Sequence, residues 1–179
     1  MPVPRYQPHY TFADYAQWQG DWELWNGLPV AMTPSPFGNH QQTLTRLARL
    51  LGNELERVGC ECEALVELDW VVTDDTVVRP DLMIVCGGVP ARHQQTAPAL
   101  VAEILSVSTA SRDRTFKRAL YASQSVPLYL MVEPEEQQIE VLHLAEDRYH
   151  PLAAAVGPFS LSVHPGCEII LDPSKLFRK

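Results

Sequence analysis

This 179-residue sequence predicts a layered domain of helices on a sheet, α/β or α+β in class. Three observations carry that prediction. Leu44, Leu47, Leu51, Leu55 and Val58 recur at spacings of three and four, the mark of a helix laying one apolar stripe on a core. Val77 to Val85 and Leu100 to Leu105 are so uniformly apolar that they read as strands buried on both faces, in the middle of a sheet. Asn26-Gly27, between alternating apolar residues, marks a two-residue hairpin turn. The length is close to the prior of about 150 residues for one domain, so a single unit over 1–179 is expected.

Taken in order, residues 1–9 read as an extended arm. Thr11 to Trp18 reads as a short helix, with Asp14 three residues after Thr11 in a capping-box pattern. A hairpin over Trp22 to Met32 follows, then a proline-rich turn, Thr33 to Phe37, and the long helix, stopped by Gly59. Strands are expected over Cys62 to Val72, Val77 to Val85 and Leu100 to Leu105. The loop Gly87 to Pro98 has room either to cross over or to fold back. A second helix begins after Ser106, with Ser108 and Ser111 as candidate caps and Phe116, Ala119, Leu120 and Ser123 on one face. Leu128 to Val132 and Ile139 to Leu144 form a hairpin about Glu133-Pro134-Glu135-Glu136, and 145–179 reads as a turn-rich C-terminal extension.

Composition narrows the function classes. With 46% hydrophobic and 20% charged residues, wholesale disorder, a coiled coil and a collagen-like repeat are excluded. Fourteen Lys and Arg against 22 Asp and Glu leave a net charge of -8, which argues against a broad basic face on nucleic acid, so any phosphate site is local. Cys60, Cys62, Cys86 and Cys167 form no CxxC pair, and no apolar run is long enough to cross a bilayer. The expectation is a cytoplasmic protein with reduced, buried thiols.

Charges stand where apolar residues dominate. Val78-Arg79-Pro80-Asp81-Leu82-Met83-Ile84-Val85 and Leu100-Val101-Ala102-Glu103-Ile104-Leu105 each carry one carboxylate in a strand that otherwise wants burial. Desolvating an unpaired carboxylate costs several kcal/mol, so both acids need a cation, hydrogen bonds or a raised pKa. Asp81 has Arg79 as an ordinary partner, and Glu103 a nearby lysine. Taken together, the two suit a hard divalent ion, and Pro80, which lacks a backbone donor, would break the ladder and aim Asp81 out of the sheet. Asp113 and Lys117 are spaced as an exposed helical ion pair, or Lys117 leans over the sheet end toward a phosphate or a water. Glu23 reads as a further ligand or a cross-strand partner. His40 reads as a phosphate contact near a helix N-terminus or as a structural cap. Arg46, Arg49, Arg112, Arg114, Lys117 and Arg118 offer a local basic rim or a solvated face.

Trp22-Glu23-Leu24-Trp25-Asn26-Gly27, Ser35 to His40, Val78 to Asp81, Leu100 to Ser106, and Asp113 to Lys117 followed by Tyr121 resemble, in order and spacing, the Uma-two family of restriction endonucleases in the PD-(D/E)XK nuclease superfamily. The resemblance spans roughly Tyr10 to Leu144. It implies a restriction-endonuclease-like fold, a central mixed β-sheet flanked by helices, with an N-terminal helix and hairpin. It also implies Mg²⁺, with Mn²⁺ as substitute, held by Asp81 and Glu103 with Glu23 as an additional acid, and hydrolysis of DNA phosphodiester bonds. The superfamily's lysine two residues after the glutamate is replaced here by Leu105, and the resemblance implies Lys117 as its migrated substitute, stabilising charge. His40 and Arg114 are the phosphate-contact candidates, and a homodimer is expected of an enzyme that cuts two strands. The competing readings are a noncatalytic binding or assembly protein that keeps the nuclease fold, and a metal-binding protein using Cys60, Cys62 and a histidine.

Overall fold

The structure is a computed structural model that describes residues 7–32, 38–106, 110–154 and 157–177. The first part of the expected arm, the proline-rich turn and the Ser108 cap lie outside the described residues.

The N-terminal pieces form as the sequence dictates. Helix α1 (Phe12–Tyr15) is capped by the Asp14 carboxylate, which accepts the Thr11 backbone N–H at 2.8 Å. Strands β1 (Trp22–Trp25) and β2 (Leu28–Ala31) pair antiparallel about Asn26 and Gly27, whose φ values of 48° and 77° are those a type I′ turn needs. Helix α2 (Gly38–Val58) buries Leu44, Leu47, Leu51 and Leu55, four members of the expected stripe.

Two expected strands are each broken in two. Cys62 to Val72 becomes β3 (Cys62–Val66) and β4 (Trp70–Thr73), with Glu67 at positive φ between them. Val77 to Val85 becomes β5 (Thr76–Val78) and β6 (Leu82–Cys86), parted at Arg79-Pro80-Asp81. The halves belong to different sheets: β2-β1-β5-β4 is a small antiparallel sheet, and the main sheet runs β10-β9-β8-β7-β6-β3. Asp81 therefore sits where the chain steps from one sheet to the other, after a proline that cannot continue the ladder. The loop after β6 folds back, because β7 (Leu100–Ile104) is antiparallel to β6. All five residues of β7 are buried, as expected for a central strand.

Helix α3 (Ala110–Arg112), a π-helical segment Asp113–Lys117 and helix α4 (Arg118–Ser123) carry the chain to β8 (Leu128–Glu133), which lies parallel to β7. This stretch corrects three expectations. Ser111 lies inside a helix rather than capping it. The buried side chains are Asp113, Lys117 and Tyr121, while Ala119 and Ser123, placed on the inner face, are exposed. Apolar spacing misassigned the face because the inner stripe is polar and satisfied by partners. For the same reason Asp113 and Lys117 are not an exposed pair.

Strand β9 (Gln138–Ala145) completes the expected hairpin with β8. The supposed turn-rich tail instead forms β10 (Arg148–Ala154) at the edge of the main sheet, the hairpin β11 (Phe159–His164) and β12 (Cys167–Leu171), and helix α5 (Pro173–Leu176). Leu161, Val163, Cys167, Ile169 and Leu171 alternate inward and join α2 in one aliphatic cluster. A second cluster on the other face of the main sheet is built around Trp70, Met83, Tyr121, Tyr129 and Tyr149.

The reduced-thiol expectation is overturned. Cys62 stands opposite Cys86 in the β3–β6 register and is bonded to it, and Cys60 is bonded to Cys167 of β12. The pairings span 24 and 107 residues and follow from sheet register and hairpin docking, which cysteine spacing does not encode. With Cys60 and Cys62 both in disulfides, the cysteine–histidine metal reading falls, and thiol state no longer argues for a cytoplasmic location. Among the described residues no helix is long and apolar enough to cross a membrane.

Candidate active site

The site forms where β7 ends beside the Pro80 break. β6 and β7 pair Leu82 with Ala102, so one further step in that register sets Asp81 opposite Glu103. Asp81 Oδ2 accepts the Ile104 backbone N–H at 2.6 Å, which fixes the carboxylate against the end of β7. Its side-chain partner is His40 from the first turns of α2, with Nε2 3.3 Å from Oδ2, and not Arg79. Arg79 turns the other way, to Asp69 at 2.7 Å and Asp21 at 2.9 Å.

Glu103 points from β7 to the face covered by the π-helical segment. Its Oε1 accepts from Lys117 Nζ at 3.0 Å and from the Tyr121 hydroxyl at 2.6 Å. Lys117 Nζ also lies 3.1 Å from Glu23 Oε1 and 3.8 Å from Asp113 Oδ1. Glu23 arrives from β1, held there by the Arg79 backbone N–H at 2.7 Å and the Trp25 indole N–H at 3.1 Å. Glu23, Glu103, Asp113 and Lys117 are only 3–6% exposed. The π-helical segment is held in place by Tyr129, whose hydroxyl donates to the Asp113 carbonyl at 3.1 Å.

These contacts set the electrostatics. Burial pushes the Glu103 pKa well above the carboxylate range; Lys117 opposes the shift, Asp113 and Asp81 add to it, and the Tyr121 hydrogen bond opposes it. Burial disfavours the Lys117 ammonium, yet Glu103, Glu23, Asp113 and Asp81 outweigh burial and raise its pKa, so it stays charged. Burial, and then the Glu103 charge, raise the Tyr121 phenol well above its usual range, so it remains a donor. His40 loses to burial but gains more from the hydrogen bond and charge of Asp81, then from Glu67 and Asp113, and its pKa is raised. Its Nδ1 is buried with no hydrogen-bond partner among the described residues.

Of the residues singled out in the sequence, the structure thus gathers Glu23, Glu103 and Lys117 into one cluster with Asp81 and His40 at its edge. Arg114 is elsewhere occupied, paired with Glu133 at 2.5 Å and Glu140 at 3.5 Å. Of the expected rim, Arg118 reaches the Tyr149 carbonyl, Arg46 the Leu176 carbonyl, and Arg112 the Ala31 carbonyl and the Trp25 ring. Sequence reasoning gave no site role to Asp113, Tyr121 or Tyr129. For Asp113 and Tyr121 the signal was the four-residue interval Asp113, Lys117, Tyr121, a polar stripe at helical spacing in front of a buried acid.

A divalent cation fits the chemistry of this donor set. Four carboxylates, Glu23, Asp81, Glu103 and Asp113, surround one ammonium and one imidazole, so hard oxygen donors and negative charge are in excess. Among the described residues no three Asp, Glu, His or Cys side chains are gathered around one ion-sized point, but Mg²⁺ takes one or two carboxylates and completes its shell with water.

A family model described as Uma2, "Putative restriction endonuclease", matches residues 12–172. A protein of Synechocystis sp. (strain ATCC 27184 / PCC 6803 / Kazusa), described only as uncharacterized, is 29% identical over 153 residues, 82% of this chain and 78% of that protein. The crystal structure of "a putative nuclease belonging to DUF820" from Anabaena variabilis ATCC 29413 is similar at a TM-score of 0.75, covering 93% of this chain and 97% of that chain. At 17% identity, that likeness shows the fold, a mixed α+β arrangement about a central mixed sheet.

Proposed function

The chain belongs to the Uma2 family, and from that premise we propose that it is a metal-dependent nuclease acting on DNA phosphodiester bonds at the Asp81–Glu103–Lys117 site. The observation that carries the reading is the buried ammonium of Lys117 on Glu103 at 3.0 Å, at the strand end where Asp81 also stands. Lys117 thereby supplies from a helix the positive charge that Leu105 does not supply from the strand.

A Mg²⁺ ion bound by Asp81 and Glu103 would polarise the phosphodiester and lower the pKa of a bound water. Lys117 stabilises charge that builds on a nonbridging oxygen, since an ammonium held against Glu103 and Glu23 is a poor general base. Glu23 and Asp113 hold Lys117 over the strand end, and Tyr121 fixes the Glu103 rotamer. Glu23 has both oxygens engaged, by Lys117, the Arg79 amide and the Trp25 indole, so it acts in placing Lys117.

One observation favours the competing reading, a noncatalytic protein that keeps this fold for binding or assembly. Arg114 and Arg118 are committed to internal partners on a chain of net charge -8, which leaves little for counterion release along a duplex. Cleavage of supercoiled plasmid with Mg²⁺ or Mn²⁺ separates the two. The nuclease reading expects nicking that EDTA abolishes and that falls at least about 100-fold in Glu103→Gln and Lys117→Gln. Equal cleavage by wild type and both variants, or none by any, overturns it.

A further inference from the structure

We propose that Lys117 is the resident cation of this site, and that its ammonium and a divalent ion exclude one another at Glu103. The inference rests on the metal-dependent reading above for what the divalent ion does, and on the geometry for what Lys117 does. Nζ lies 3.0 Å from Glu103, 3.1 Å from Glu23 and 3.8 Å from Asp113, all four side chains being buried. It thus occupies the space into which those three carboxylates would otherwise converge on an ion. Buried carboxylates at such separations do not all stay charged without a cation, and Lys117 provides one that is covalently part of the chain.

A divalent ion arriving at Asp81 and Glu103 meets that ammonium at close range, in surroundings with little water to screen the repulsion. Loading therefore moves Nζ off Glu103 Oε1 and onto Glu23 and Asp113, which already flank it. Tyr121 stays with Glu103 through the exchange, since its hydroxyl donates to the same oxygen and carries no charge. Two consequences follow. The lysine that serves the reaction weakens the binding of the ion, and the metal-free protein is held together by the same lysine.

Titration calorimetry with Mn²⁺ alone, on the full chain at neutral pH, tests this with no reference to cleavage. Lys117→Met is expected to bind Mn²⁺ at least about tenfold more tightly than wild type, whereas Lys117→Arg, which keeps the charge, stays at or below the wild-type affinity. Melting temperatures give the second readout, needed where the metal-free variant folds poorly: added Mn²⁺ raises the Tm of Lys117→Met by more than it raises that of wild type. Binding by Lys117→Met but not by wild type supports the inference while removing metal dependence from the resting protein. Equal or weaker binding by Lys117→Met, with wild type binding, overturns the inference and leaves the nuclease reading standing. No binding by either overturns both.

Discussion

The two faces of β7 are equally buried and chemically opposed. Leu100, Ala102 and Ile104 point toward α2 and the β11–β12 hairpin into a cluster that is almost wholly aliphatic. Val101, Glu103 and Leu105 point to the other face, where Tyr121, Tyr129 and Tyr149 each have the hydroxyl donated to a named acceptor: the Glu103 carboxylate, the Asp113 carbonyl and the Val126 carbonyl. One face is held by area removed from water, and on the other the three tyrosine hydroxyls and the Glu103 carboxylate find their partners inside the protein. The difference teaches that burial alone does not locate a site in this fold; the buried groups that need partners do.

The strongest way to break the polar face is Lys117→Ala, which leaves Glu23, Glu103 and Asp113 buried around no ammonium and is expected to cost about 3–5 kcal/mol at neutral pH. The cost depends on pH. With its folded pKa raised, Glu103 alone gives a contribution that is full below the unfolded value of 4.5 and declines as pH rises toward the folded one. Lys117 limits that decline, and its own contribution, from a raised pKa, is full below 10.5. Urea unfolding across pH 4 to 8 should therefore show Lys117→Ala losing stability more steeply than wild type as pH rises. Curves that run parallel would mean that the cluster is held by packing instead.

Leu51→Ala breaks the other face. Leu51 is fully buried in the aliphatic cluster, so the loss of its side chain and the cavity left behind cost about 2–5 kcal/mol. No titratable group is involved, so the same urea series should give an offset that is constant with pH and unchanged by Mn²⁺. A dependence on either would show that the faces communicate through β7, and the contrast between them would narrow.

The same contrast decides what the sequence revealed. The α2 stripe, the buried strand Leu100–Ile104 and the Asn26-Gly27 turn were legible because each rests on local apolar spacing or backbone chirality. The need of Glu103 for a partner was legible too, because a lone acid in Leu-Val-Ala-Glu-Ile-Leu survives only with a cation, hydrogen bonds or a raised pKa. What stayed hidden was partner choice across the fold: Asp81 with His40 rather than Arg79, and the cysteine pairs. The inward turn of Asp113, Lys117 and Tyr121 was hidden for a related reason, since a periodicity test that counts only apolar residues does not register a polar stripe whose partners lie on β1 and β7. The strands of the C-terminal region do carry a local signal, since Phe159 to His164 and Cys167 to Leu171 follow period two between their turn residues.

His40 offers the smallest effect and the finest test, because it is the side chain that α2, the helix of the aliphatic face, sends to the polar site. Burial works against its charge, but the hydrogen bond and charge of Asp81 outweigh it, so its folded pKa lies above 6.5. A group raised in this way contributes stability that is full below its unfolded value and lost as pH rises through the folded one. His40→Gln should therefore be less stable than wild type by about 1 kcal/mol below pH 6.5, with the gap closing at higher pH as the imidazolium gives up its proton. Guanidinium chloride raises ionic strength and would mask a pair of this size, so urea at low salt is the medium in which to compare pH 5.5 with pH 8.5. A gap equal at both values would mean that the ring is held by packing alone. A gap that closes shows α2 acting as an electrostatic clamp on Asp81, and a divalent ion at Asp81 would then release the clamp at every pH by taking over the charge that the imidazolium supplies.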